Sequence, residues 1–155
     1  RVNLRHAYLL GHLLGPRLAA QGSGSLTFIA SVSASYGSFV TPAYAAAKAA
    51  LVNWVQSLAI TYGPAGVRAN TVSPGTTHSE RMARVMGEEG VAGFASRTAL
   101  KEINRPDDVA AAIAFLASPA ARMITGHDLV VDGGTRARDP WYGDRGDASF
   151  ADDVL

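Results

Sequence analysis

The chain contains no cysteine. That excludes a disulfide framework, a thiolate metal site and a cysteine nucleophile together. It also lacks a dominant charge. Fourteen Lys and Arg face 13 Asp and Glu, for a formal net charge of +1, and the basic residues form no cluster. Nucleic-acid binding therefore has no electrostatic footprint. Long apolar runs are absent too; none approaches the roughly 20 residues that a membrane-spanning helix needs. The four histidines, His6, His12, His78 and His127, have no metal-ligand spacing. Arg1-Val2-Asn3-Leu4 is neither a signal peptide nor a Met start. A cytoplasmic location is the default expectation.

What is present suits a globular domain. Hydrophobic residues make up 48% of 155 positions and charged residues 17%, enough for one domain with one core. Leu4 to Gln21 reads as a helix, with Leu9, Leu10, Leu13, Leu14 and Leu18 at helical spacing and Gly22-Ser23-Gly24 ending it. Leu26 to Ala30 is a short apolar run, which suits a strand buried on both faces. After a loop, Pro42 opens a helix that runs to about Tyr62. Val67 to Val72 is a second strand, closed by Pro74-Gly75. Thr76 to Ile103 is polar, Gly-punctuated and weakly amphipathic, which predicts a mobile lid. Pro106, Asp107 and Asp108 fit the first turn of another helix, through Leu116. Asp128 to Asp132 is a last strand before Gly133-Gly134.

Strands alternating with helices predict a parallel α/β sheet. Only three strands are legible. Such a sheet would leave a bare edge beside Leu26 to Ala30, and the expectation is that further chain or another molecule covers it. Residues 1–135 form the α/β part. Residues 136–155, rich in Asp, Arg and Gly, read as a separate tail anchored by Trp141, Tyr142 and Phe150.

One constellation carries chemistry. Tyr44 and Lys48 are at i and i+4, so they share a helix face. That stripe continues through Leu51, Val55, Leu58 and Tyr62, which must face a core. The polar pair therefore sits where the stripe emerges at the helix amino end. A phenol has an unperturbed pKa of about 10; a neighbouring ammonium favours its charged form and suits it to general acid–base work. Ser31 closes a strand at the carboxyl edge of the sheet, where open α/β sheets bind ligands. Tyr-x-x-x-Lys alone is a weak signal, because many amphipathic helices hold one. Combined with a buried strand ending in Ser31, thirteen residues before Tyr44, and a later strand running into Asn70-x-Val72-x-Pro74-Gly75, it is much stronger. Asn70 itself reads as structural. His78, in the lid, could touch substrate.

In these residues the chain resembles the short-chain dehydrogenase/reductase family. Ser31 and then Tyr44-x-x-x-Lys48 have the family's catalytic spacing. Val2-Asn3 matches the Val-Asn pair of the preceding helix. "RANTVSPG" (68–75), "RPDDVAAAIAFLAS" (105–118) and "ITGHDLVVDGG" (124–134) resemble its later strand, final helix and final strand. The resemblance runs from about Val2 to Gly134. It implies a Rossmann-type fold and hydride transfer between NAD or NADP and a small-molecule carbonyl or alcohol carbon. By analogy Tyr44 is the acid/base, Lys48 binds the nicotinamide ribose and tunes Tyr44, Ser31 orients the carbonyl, and Asn3 holds a relay water. Pro74-Gly75 form the cofactor turn, after which the Thr77 backbone and Ser79 contact the carboxamide. The family more often has Val or Ile and then Thr at those two places. The resemblance also implies a homo-oligomer, with the helices 4–21 and 42–62 packing against a neighbour's copies through Ala47, Ala50 and Trp54.

The family's N-terminal features have no counterpart here: the Gly-rich pyrophosphate turn, the residue that selects NAD or NADP, and an Asn-Asn-Ala-Gly turn. Gly22-Ser23-Gly24 follows a helix and precedes a strand, the reverse of the order required. The expectation is therefore an incomplete Rossmann-type sheet, active with a complementary N-terminal part. The rival is a non-catalytic fragment that serves as an assembly partner. The lid presents few charges toward any obvious ligand, which points to a neutral or acyl-carrier-linked ketone.

Overall fold

A computed structural model describes residues 3–137 of the chain. The predicted tail lies almost wholly outside the described residues, as does Val2. The elements, in chain order, are α1 (Arg5–Gln21), β1 (Gly24–Ile29), α2 (Pro42–Tyr62), β2 (Val67–Pro74), α3 (Glu80–Ala95), α4 (Pro106–Ala117) and β3 (Asp128–Val131). The strands pair in parallel in the order β1-β2-β3, with Gly24 opposite Val67 and Thr71 opposite Asp128. This is the predicted α/β class, a three-strand part of a Rossmann-type sheet.

Alternation along the strands separates two cores. Leu26, Ala30, Val67 and Ala69 pack with Leu51, Val55 and Leu58 of α2 and with Ala7 of α1. Val72, of opposite parity to Ala69, packs with Leu116 of α4 and with Ala121. Helices therefore cover both faces. At the head of α4 the Arg105 N–H donates to the Asp108 carboxylate at 2.7 Å, closing the first turn as its acidic residues predict.

The structure adds three features to this reading. First, the leucine stripe that signals α1 is not the face it buries. Ala7, Gly11 and Gly15 are buried, whereas Leu9, Leu10, Leu13 and Leu14 are exposed. Small residues win because α1 lies against large rings: a Cβ on Gly11 would stand 2.3 Å from the Trp54 ring, and one on Gly15 2.3 Å from Tyr62. Second, Trp54 is therefore an anchor inside the chain. Its ring lies 5.3 Å from Tyr8 and 5.5 Å from Phe28. Third, the lid is largely helical. α3 runs through it, broken at Gly87, whose φ of 65° and ψ of 179° are not helical. No residue of α3 is buried, so the helix has no core face to advertise in sequence.

The far edge of β1 has no strand partner among the described residues. The expected cover is not found there. Because the Ala30 N–H bonds to the Val72 carbonyl, the groups of residues 25, 27 and 29 alternate outward to that bare edge.

Candidate functional site

The site is built where parallel strands end and helices begin. Gly11 meets Trp54 and Leu58, and Gly15 meets Tyr62. The contacts advance together along both helices, so α1 and α2 run parallel. Their amino ends, carrying Asn3 and Tyr44, accordingly lie at the same end of the molecule, the end of the strand carboxyl termini.

Ser31 follows β1 and is 9% exposed. Its Oγ accepts the Ser33 N–H at 3.2 Å and caps a short 3-10 turn, Val32–Ser35. That leaves its own proton free to donate. Tyr44, in the first turn of α2, is half-buried. Lys48, one turn on, is 9% exposed, and its ammonium lies 5.7 Å from the Tyr44 ring centroid. Burial lowers the Lys48 pKa. Its Nζ donates to the Ile29 carbonyl at 2.6 Å. That carbonyl faces the bare edge of β1, so Lys48 ties the head of α2 to the end of the open strand. Ser31, Tyr44 and Lys48 are thus brought to one edge. Asn3, half-buried in the turn before α1, completes that end.

The second half of the site surrounds the end of β2. Gly75 is glycine because β3 approaches it: a Cβ there would stand 2.8 Å from the Asp132 Cβ. The Gly75 N–H donates to the Val131 carbonyl at 2.8 Å. Thr77 forms an isolated parallel bridge with Asn104. The bonds of that bridge run from the Asn104 N–H to Thr76 and from the His78 N–H to Asn104, at 3.0 and 2.7 Å. The backbone N–H and C=O of Thr77 consequently point away from Asn104. Ser79 caps α3, its Oγ accepting the Met82 N–H at 3.1 Å. His78 is exposed. Asn70, fully buried, is structural as read: its amide donates to the Ile124 carbonyl and its oxygen accepts the His127 N–H.

Two clefts flank this edge. One of about 550 Å³ lies beside the end of β3, lined by Leu100, Glu102, Ile103, Asn104 and Asp132. The other, about 560 Å³, lies between the loop 33–38 and the first turns of α2. Neither is lined by Tyr44 or Lys48. Tyr44 and Lys48 stand at the carboxyl edge of the sheet, outside the lining of both clefts. Sequence reasoning missed Thr98 and Asn104, both buried. The single Thr98 hydroxyl proton lies between the Ala95 and Glu102 carbonyls, and its Oγ1 accepts the Glu102 N–H. The Asn104 side chain bonds to Val131, 27 positions away. No local pattern signals such a bond.

A family described as Enoyl-(Acyl carrier protein) reductase matches residues 1–136. A probable short-chain type dehydrogenase/reductase of Bradyrhizobium diazoefficiens is 36% identical, over 96% of this chain and 53% of its own length. A solved oxidoreductase of the short-chain dehydrogenase/reductase family from Burkholderia thailandensis superposes with a TM-score of 0.81 at 40% identity, covering 88% of this chain and 54% of that one. A 4-hydroxyisoleucine dehydrogenase mutant, solved with NADH and succinate, gives 0.80 at 30% identity over 89% of this chain and 58% of its own. The chain spans little more than half the length of each of these proteins. It belongs to the short-chain dehydrogenase/reductase family.

Proposed function

We propose that this chain is the proton-handling part of an NAD- or NADP-dependent oxidoreductase that interconverts a ketone and a secondary alcohol. The observation that carries the reading is the meeting of Tyr44 with a buried Lys48 ammonium on the edge where Ser31 also stands. The solved relative that holds NADH supports the cofactor class.

The residues fit the nicotinamide end of such a cofactor. Lys48 has three donor hydrogens and spends one on Ile29, leaving two for ribose hydroxyls. The Thr77 backbone groups point away from their bridge, which supports their reading as carboxamide contacts. Ser79 keeps its hydroxyl proton after capping α3, and Pro74-Gly75 set the turn that leads to both. When bound, the cofactor supplies or accepts the hydride. Ser31 donates to the substrate carbonyl oxygen and orients it. Tyr44 gives that oxygen its proton in reduction and takes it back in oxidation. Asn3, at the same end, holds a water that passes the proton onward. The site acts on a small neutral or acyl-carrier-linked carbonyl, in the cytoplasm, as part of a homo-oligomer.

Activity requires a complementary N-terminal part, because no Gly-rich turn opens a helix anywhere in these residues. The bare edge of β1 also favours a second reading, a non-catalytic assembly partner that pairs through that edge. Tyr44→Phe separates the two. It keeps the ring and removes the hydroxyl. Carbonyl reduction is measured with the full-length protein, or with this chain and its complementary fragment. A loss of about 10² to 10⁴-fold, with the thermal transition unchanged, is expected. Activity within threefold of wild type removes Tyr44 from the mechanism.

A further inference from the structure

The lid does not hang freely from the sheet. Its far leg, residues 98–104, is docked on the end of β3. The Leu100 N–H donates to the Gly133 carbonyl at 3.1 Å. Gly134 permits the approach, since a Cβ there would stand 2.7 Å from the Ala99 Cβ. At the end of this leg, Asn104 is 7% exposed, and its backbone N–H, its backbone C=O and its side-chain NH2 are each bonded. Its backbone makes the bridge to Thr76 and His78, and its side-chain amide donates to the Val131 carbonyl. The same carbonyl accepts the Gly75 N–H. One residue therefore joins the end of β3, through its side chain, to the turn after β2 and the root of the lid, through its backbone.

We infer that Asn104 is a positioning residue. It holds residues 75–78 against β3, and so sets where Thr77 and Ser79 stand. The functional weight of this placement rests on the proposed cofactor site; the placement itself does not. α3 buries no residue and is broken at Gly87, so the anchorage of the lid falls to the docked leg, which has buried polar groups at Thr98 and Asn104.

The test is residue-resolved amide exchange on the 155-residue chain with no ligand present, comparing wild type with Asn104→Asp. The aspartate keeps the shape but, when ionised, offers Val131 an acceptor in place of a donor. Near neutral pH, protection of the Gly75, His78 and residue-104 amides should fall about tenfold or more. The Ala30 amide, which reports the β1–β2 ladder, should keep its protection. Near pH 4, where a carboxyl gains its proton and can donate again, protection relative to wild type should return. Unchanged exchange at 75–78, an equal rise across the whole sheet, or a loss that ignores pH would each overturn the assignment. Because no cofactor is used, failure of the cofactor reading is seen separately, by NADH binding to the complete assembly.

Discussion

Lys48 is the residue on which structure and chemistry meet. Its ammonium is buried, tied to Ile29 and set beside the Tyr44 ring. Burial lowers its pKa, which fixes the sign of a stability effect. Between the folded value and the unperturbed value of about 10.4, the unfolded chain binds one more proton than the folded one. Stability gained through this group therefore rises with pH across that window. Lys48→Met has no proton to lose. Urea unfolding of both proteins from about pH 8 to pH 10 should show the difference moving toward wild type as pH rises; a constant difference would mean that burial does not tax the charge. Tyr44 and Lys48 were legible in the sequence because a four-residue spacing fixes a shared helix face. Asn104 and Thr98 were not, because their partners lie on other segments and any polar residue in a loop looks alike before folding.

Among the elements, α2 was legible to the residue: Pro42 opens it and Gly63 follows it. α1 was legible as a helix but not in its orientation. Leucines dominate the periodicity, yet contact with Trp54 and Tyr62 demands Gly11 and Gly15. Gly11→Val should destabilise the fold by about 1–3 kcal/mol, since the added carbons enter space held by the Trp54 and Leu58 side chains. Chemical denaturation measures this, and a loss below about 0.5 kcal/mol would mean that the two helices slide apart at little cost. α3 was read only as part of a weakly amphipathic, mobile lid. Met82, Val85, Met86 and Val91 lie on a helix without a core to cover, and Gly87 breaks the repeat after seven residues.

At the scale of the whole molecule, two surfaces lie uncovered among the described residues. The edge of β1 presents outward backbone groups, and the outer face of α1 presents exposed leucines, with Leu13 at 58%. The family supplies the expectation of an oligomer built on these helices, though Trp54 serves inside the chain. The fold class was legible because strand, helix and turn signals alternate in order. Of the candidate residues, Tyr44 and Lys48 came from spacing on one helix and Ser31 from its place at a strand end, whereas Asn3, Thr77 and Ser79 came from the family resemblance alone. The central claim is that these residues carry the proton-handling and nicotinamide end of a hydride-transfer site without the anchoring for the rest of the dinucleotide. Calorimetric titration of the 155-residue chain with NADH and with NADPH tests it most directly. With only Lys48, Thr77 and Ser79 to grip one end, affinity should be about millimolar or weaker. Micromolar binding of either nucleotide would contradict the account.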